Sequence, residues 1–467
     1  MIPPRGSSLA LLLLATASCS RAPDSPSLII RHATLFAGDS TDLRLNRTIM
    51  VQADRISAVV PDSVGVTVHG AQEIDAHGRL VTPGFIDVHH HLDYVFPDSI
   101  SAGGGAIAKF RTDSASVTGY RHRWADAYLP FGVTTVREVG GNEAYLAMRL
   151  AWQKRVPWAP DFITSGGGLV THEAGRVPFA GHTEVMDSLD AVRHIRQDYA
   201  AGVRDVKLYW RLRWPEYVAA FHEATRLKMH ITTHIDFGVT RIPDALTLGV
   251  RHFEHAYTLA GAVLPDGTIA AGWAEARATL GPAQPGAFYF GVLAYLRRLP
   301  EHDAALDSLV ARFAATGATV TPTIHLFGQH VEATWFRSAS LGAFDDSRQW
   351  TPAQRAAALH GYRRLQRLVL QLHRAGVGLA VGTDWTDPGK AVLSEMLALH
   401  DAGISMPDVL RIATWGGARA IERSEEVGKI AAGYRANLII FDDNPIDNPR
   451  ALLGRKQVIK DGVMRPE

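Results

Sequence analysis

Residues of the types that hold divalent cations recur in this chain at one kind of place, the point where an apolar, β-forming run gives way to a loop. In VTPGFIDVHHHLDY (Val81–Tyr94) such a run ends in three histidines. Alternate side chains of a strand share a face, so His89 and His91 converge on one point while His90 points away. VKLYW then supplies Lys207, THIDF supplies His234, FEHAY supplies His255 and GTDW supplies Asp384. Neutral imidazoles and a carboxylate are the ligands of a zinc-type ion, and such an ion polarises carbonyls and acidifies water. Taken singly, each histidine in a chain that has 21 reads as a packed or exposed side chain. The repeated position at strand ends is what makes the set a candidate site. His222, His230, His252, His360, His373 and His400 fall on helices or early in strands, and they read as packing or surface residues.

Lys207 fits this set only if it loses its charge. An amine in a cationic, partly desolvated site gives up its proton more readily, and the free amine can add carbon dioxide to become a carbamate. The product is a carboxylate on a long arm, suited to bridging two cations. A strand lysine that pairs with a carboxylate is the plainer alternative.

The elements that must position these groups follow one rhythm between about residues 84 and 425, where short apolar strands alternate with helical patterns. That rhythm argues a parallel sheet wrapped by helices. Strand segments are expected at 131–141, 161–170, 203–209, 229–237, 251–257, 318–324 and 376–385, and the opening strand brings them to eight. Leu189, Val192, Ile195 and Tyr199 recur at helical spacing behind a cap at Asp187, with Gly202 closing that helix. Ser405 and Asp408 have capping-box spacing at the start of a closing helix. Eight such units without an internal repeat predict an α/β fold of the (β/α)8 TIM-barrel type, with its active site at the C-terminal ends of the strands. Short alternating runs at 27–36, 48–53, 55–60 and 71–75, and again at 428–430, 436–441 and 457–463, predict a small β-sandwich domain. It is built from residues 27–83 and 426–467, and the barrel (84–425) is inserted between them.

At 467 residues, 46% hydrophobic and 20% charged, the chain has ample core for one large and one small domain. A formal net charge of +1 and the lack of a Lys/Arg run leave no footprint for nucleic acid. Residues 1–26 stand apart: Arg5 precedes the apolar run Leu9–Ala15, which small residues follow. This is the layout of a secretory signal and is too short to span a bilayer stably. The single cysteine, Cys19, ends the stretch Thr16-Ala17-Ser18 and resembles the lipobox cysteine of bacterial lipoproteins. The expectation is an exported, periplasmic protein. Its anchor is a lipid on Cys19 with a tether to residue 26, unless the signal is simply cleaved, and that anchor is its one route to a membrane. Disulfides contribute nothing with one thiol. A homo-oligomer is compatible with the sequence.

The ordered set of motifs resembles the amidohydrolase superfamily of metal-dependent hydrolases over residues 27 to 467. TPGFIDVHHHL is similar to the first-strand signature of that family, GVTTVREVGG to its second-strand stretch and GVRDVKLYW to its lysine strand. THIDF and FEHAY are similar to the two later histidine strands and GTDW to the eighth. AGISMPDVLRIATWGGARAI with VGKIAAGYRANLIIFDDNP is similar to the exit into the β domain. Within the superfamily the chain resembles the imidazolonepropionase-like and Xaa-Pro dipeptidase-like (prolidase-type) branch with two zinc ions. The resemblance implies one metal on His89, His91 and Asp384, a second on His234 and His255, and Lys207 as the carboxylated bridge.

The expected reaction is hydrolysis of an amide, peptide or cyclic amide C–N bond in a small or dipeptide-like substrate. The attacking group is a hydroxide held between two cations, and Asp384 relays its proton to the leaving amine. His172, in the loop GGGLVTHEAG, and His325 are candidates to orient a substrate carbonyl or carboxylate. Tyr209 and Tyr257, two residues beyond ligand positions, are candidates to line the pocket or to pack. The long excursions 259–316 and 325–375 are expected to carry specificity. A lactonase or esterase, a mononuclear deaminase and a non-catalytic binding protein are the alternatives on the same barrel. The bridging lysine weighs against the deaminase.

Overall fold

The computed structural model describes residues 27–95, 111–175, 181–236, 239–281, 286–336, 347 and 350–465. The expected leader with Cys19 and its tether lie outside the described residues.

Alternating burial in the first and last strands builds a sheet with two working faces. Strands β1 (Leu28–Phe36), β2 (Leu43–Gln52), β3 (Arg55–Pro61), β4 (Gln72–Asp75) and β5 (Leu80–Pro83) come from the N-terminal end. The ten strands of the barrel region, numbered β6 to β15, follow, and β16 (Leu438–Phe441), β17 (Lys456–Lys460) and β18 (Val463–Met464) return from the C-terminal end. These outer strands join one mixed eight-stranded sheet, in the order β18-β17-β16-β5-β1-β2-β3 with β4 also on β1. A bulge near His32, whose φ is +50°, bends β1 so that its first half pairs with β4 and its second with β5. The period of two is plain in β16: Leu438 and Ile440 enter the core of the β module, whereas Ile439 and Phe441 enter the barrel core. The hydrogen bonding is thus continuous through what the sequence suggests as a sandwich.

The barrel strands are β6 (Phe85–His90), β7 (Val133–Glu138), β8 (Asp161–Thr164), β11 (Asp205–Leu208), β12 (His230–Thr233), β13 (His252–Glu254), β14 (Thr319–Thr321) and β15 (Gly378–Leu379). The ladders β6-β7-β8 and β11-β12-β13-β14-β15 are parallel. An isolated bridge between Ser165 and Asp205 joins the first set to the second. Val88 N–H donates to Val381 O at 2.9 Å, which closes the ring. The expected third strand, 161–170, is broken at Gly166–Gly167, and β9 (Gly168–Thr171) pairs with β10 (His182–Val185) on one side and, through Leu169, with Leu208 of β11 on the other. The eighth is a two-residue ladder, beyond which Ala380 N–H still donates to Val320 O at 3.2 Å.

Helices α1 (Ser114–Tyr128), α2 (Leu146–Trp152), α3 (Ser188–Ala201), α4 (Trp214–Arg226) and α5 (Ile242–Leu248) follow successive strands. Asp187 caps α3 by accepting from Asp190 N–H, and Gly202 ends it in the left-handed region, as expected. The excursion 259–316 falls into α6 (Tyr257–Val263), α7 (Asp266–Leu280), α8 (Ala287–Leu296) and α9 (Ala304–Thr316). The second excursion holds α10 (Ile324–Gly328) and the amphipathic α11 (Pro352–Arg374). Then come α12 (Pro388–Asp401), α13 (Met406–Arg411), capped by Ser405, and α14 (Gly417–Ala420). Among the described residues no helix is long and apolar enough to cross a membrane.

Candidate metal centre

Four imidazoles meet at the C-terminal mouth of the barrel. Their ring centroids are 5.5 Å apart for His89 and His91, 4.7 Å for His89 and His255, and 4.3 Å for His234 and His255. What each δ nitrogen does fixes where the ε nitrogen points. His89 Nδ1 is 2.7 Å from Glu254 Oε2, and its Nε2 lies 3.6 Å from Asp384 Oδ1. His91 Nδ1 donates to Gly140 O at 2.8 Å, leaving Nε2 3.4 Å from the same Asp384 oxygen. His255 Nδ1 is 2.9 Å from Thr323 Oγ1 and its Nε2 is 3.8 Å from Asp384 Oδ2. His234 is turned the other way: its Nε2 is engaged by Tyr257 Oη and Asp236 Oδ2, both at 3.2 Å, and Nδ1 is the nitrogen left over. The ligand atoms of His89, His91 and Asp384 all lie within 4.8 Å of one another. His90 faces away and packs against Tyr128, centroid to centroid 5.5 Å.

The backbone turns sharply to present these groups. His255, Thr323 and Asp384 have φ of +64°, +49° and +50°. Left-handed conformations in side-chain-bearing residues cost about 1–3 kcal/mol each and persist where the surroundings over-determine them. Here Asp87 Oδ2 accepts from Thr383 Oγ1 at 2.7 Å, and the N–H groups of Thr383 and Asp384 donate to His89 O at 3.0 and 2.9 Å. The buried carboxyl of Glu395 on α12 takes the N–H groups of Ile324 and His325, at 3.0 and 2.6 Å, which holds the turn that presents Thr323 to His255.

Below the mouth lies a charged layer. Glu254 accepts from Arg137 Nη2 at 2.8 Å and from Thr232 Oγ1 as well as meeting His89, and all four are buried. Burial works against its charge, but His89, Arg137 and Lys207 outweigh that and hold the carboxyl well below its ordinary range. Burial, then Lys207, lowers His91 to about 4 and His89 well below its usual value; burial and His234 do the same for His255. The three rings are therefore neutral at neutral pH, the form that donates a lone pair. Burial pushes Asp384 up to about 7 against the pull of Lys207, and burial brings Lys207 down to about 8 against the pull of Glu254 and Asp384.

The donor set fits cations. Buried polar atoms are almost always bonded, yet His89 Nε2, His234 Nδ1 and Lys207 Nζ are buried with no hydrogen-bond partner among the described residues. The plainer alternative for Lys207, a lysine bonded to a carboxylate, is not found among those residues. Imidazole nitrogens and a carboxylate gathered as those of His89, His91 and Asp384 are, within 4.8 Å of one another, are what a divalent ion requires.

Of the four side chains expected to meet substrate, two stand at the ligands. Tyr257 touches His234 as described, and the Tyr209 ring is 5.0 Å from that of His234 and 5.3 Å from Lys207 Nζ. His172, the residue after β9, is exposed and pairs with Glu184 at 2.8 Å. His325 is buried on α10 and stacks on Phe336 at 5.1 Å, and neither of its nitrogens has a partner among the described residues. Sequence reasoning passed over Glu254, Arg137, Asp87 and Thr383. The available signal was a charged residue inside an apolar strand, as in RHFEHAY and TTVREV, which a buried ion pair explains.

Comparisons with known proteins give the family and the fold. A family model described as "Amidohydrolase family" matches residues 80–465. An imidazolonepropionase of Geobacillus sp. (strain WCH70) is 23% identical over 426 residues, covering 85% of this chain and 84% of that protein. An N-substituted formamide deformylase of Arthrobacter pascens is 34% identical over 86 residues, so the match spans only 18% of this chain and 16% of that protein. Among solved structures, a Xaa-Pro dipeptidase with bound methionine superposes with a TM-score of 0.66 at 18% identity, over 94% of this chain and 100% of the other. The A. niger ochratoxinase does so with a TM-score of 0.63 at 16% identity, over 94% and 96%.

Proposed function

The chain belongs to the amidohydrolase family, and on that premise we propose that it is a binuclear metal-dependent hydrolase of an amide, peptide or cyclic amide C–N bond. The observation that carries this reading is the trio of buried nitrogens without a hydrogen-bond partner among the described residues, His89 Nε2, His234 Nδ1 and Lys207 Nζ, beside the cluster of His89, His91 and Asp384. His89, His91 and Asp384 would hold one divalent ion, of zinc type, and His234 and His255 the other, with a carbamate on Lys207 between them. Such a pair supplies Lewis acidity and water that ionises near neutral pH.

The chain's own groups do the rest. Asp384 takes the proton of the attacking water at its carboxylate and returns it to the leaving amine. Burial keeps the Tyr257 hydroxyl protonated far above neutral pH, so it is a donor for the carbonyl oxygen of the substrate beside His234. Aromatic rings run from the ligands outward: Tyr94 lies 5.5 Å from His91 and 6.2 Å from Trp385, Trp385 5.8 Å from Tyr289, and Tyr257 5.2 Å from Phe327. This wall favours a substrate with a bulky apolar group next to the scissile bond.

The deciding measurement is metal content with activity. Lys207→Ala should lose two equivalents of zinc together relative to the unaltered protein, with hydrolysis of N-acyl amino acids or dipeptides abolished. A mouth that holds one equivalent, unaffected by that change, would sink the binuclear reading in favour of the deaminase-type site. In a panel that includes lactones, amides of aromatic and branched residues should exceed those of glycine; faster turnover of lactones would overturn the choice of bond.

A further inference from the structure

A second group of ligand-type side chains lies at the opposite end of the barrel. His230 opens β12 and His252 opens β13, four and three residues before His234 and His255. At about 3.3 Å per residue the two sets are about 10–13 Å apart, too far to share a binuclear centre. The rings of His230 and His252 are 4.5 Å apart, and Glu422 Oε1 is 3.6 Å from His252 Nε2. Ligand atoms of these three residues all fall within 4.8 Å of one another. Asp205 Oδ1 stands 3.0 Å from His230 Nδ1, the place of a carboxylate that orients a ligating imidazole.

Charge and backbone point the same way. Arg137 lies 3.4 Å from both nitrogens of His230, but its charge is met by Glu254 at 2.8 Å. That leaves Asp205 and Glu422, neither of which is in an ion pair with Lys or Arg among the described residues. Two uncompensated carboxylates and two imidazoles match one divalent cation. His252 Nδ1 is buried with no hydrogen-bond partner there. Glu422, though exposed, follows the Ile421 cap of α14 with a left-handed φ of +54° and stands 3.6 Å from His252 Nε2 at the barrel floor.

From this geometry we infer that His230, His252 and Glu422, backed by Asp205, form a separate structural site for one zinc-class divalent ion at the barrel floor. Nitrogen-rich ligation with a single carboxylate selects zinc-type ions over calcium or magnesium. The bound ion ties β12 and β13 to the segment that leaves the barrel for the β module, and water completes its coordination.

The test compares tag-free, zinc-loaded full-length protein with Glu422→Gln and His252→Gln after removal of free metal. The unaltered protein should retain one equivalent more than either variant, and Lys207→Ala should keep that equivalent while losing those at the mouth. Zinc added to the metal-free protein should raise its melting temperature by several degrees more than in Glu422→Gln, whose activity should match the unaltered protein. Because Glu422 is exposed, that variant decides the matter if His252→Gln does not fold. Equal metal content and equal zinc-induced shifts in the unaltered protein and folded Glu422→Gln would overturn the site.

Discussion

At the level of single side chains, Asp384 faces three imidazoles with its two oxygens and sits at a strained φ of +50°. A side chain so placed can both ligate and carry a proton, and asparagine keeps its shape without the charge. Asp384→Asn should leave the circular dichroism and unfolding midpoint nearly unchanged while lowering kcat by about 10²–10⁴; near-normal turnover would remove it from the chemistry. Glu254 acts through another residue, since its contact with His89 Nδ1 settles which nitrogen of that ring faces Asp384. Glu254→Gln should weaken metal retention about 10–100-fold, read as the rate of metal loss to a chelator. Unchanged retention would mean that His89 holds its orientation by packing alone.

Elements matter here through their ends. Gly382 lets the eighth strand pass close to the first: a Cβ there would stand 2.7 Å from His89 Cβ and would meet the Thr321 side chain. Gly382→Ala should therefore cost about 1–3 kcal/mol in urea unfolding and displace His89, lowering metal content as well. A purely local cost with full metal content would separate packing from function. On α12, burial pushes Glu395 from its ordinary 4.5 up to about 8, against the hydrogen bonds from His325 and Ile324. The folded protein then keeps a proton that the unfolded chain releases. The resulting stability is complete below pH 4.5 and is lost as the pH rises through 8, with a size of about 3–5 kcal/mol. Urea midpoints between pH 5 and 9 should fall more steeply for the unaltered protein than for Glu395→Gln, and parallel slopes would contradict the assignment.

For the molecule as a whole, the β module and the barrel are joined by a buried charge cluster as well as by the shared face of β16. Lys460 Nζ on β17 meets Asp461 Oδ2 at 2.5 Å and Asp161 Oδ1 on β8 at 3.0 Å, and all three are buried. Removing Lys460 leaves two buried carboxylates with only Arg155, 3.6 Å from Asp161 Oδ1, as a neighbouring cation, so Lys460→Ala should destabilise the protein by about 3 kcal/mol. Loss of both modules in one transition is expected because they share a core, and two resolved transitions would argue that they fold apart. The leader carries the proposal of export with lipid on Cys19. A fatty-acid label should appear on the unaltered protein and vanish in Cys19→Ala; no label on either would leave simple cleavage.

Much of this was written in local order. Alternation in FIDVHHH separated His89 and His91 from His90, and the spacing of strands announced a barrel, because periodicity is a property of neighbouring residues and survives without coordinates. The outer sheet was recognisable from both ends for the same reason. What only the folded chain decided is who meets whom across hundreds of residues: that Glu254 sets the face of His89, that Thr323 does so for His255, and that His234 presents its other nitrogen. His230 and His252, each of which reads as a packing residue in the sequence, acquire a partner in Glu422 because a closed barrel brings strand beginnings together as surely as strand ends. Sequence carries the type and phase of each side chain. Orientation depends on the second partner of each ring, and that partner is chosen by tertiary contact.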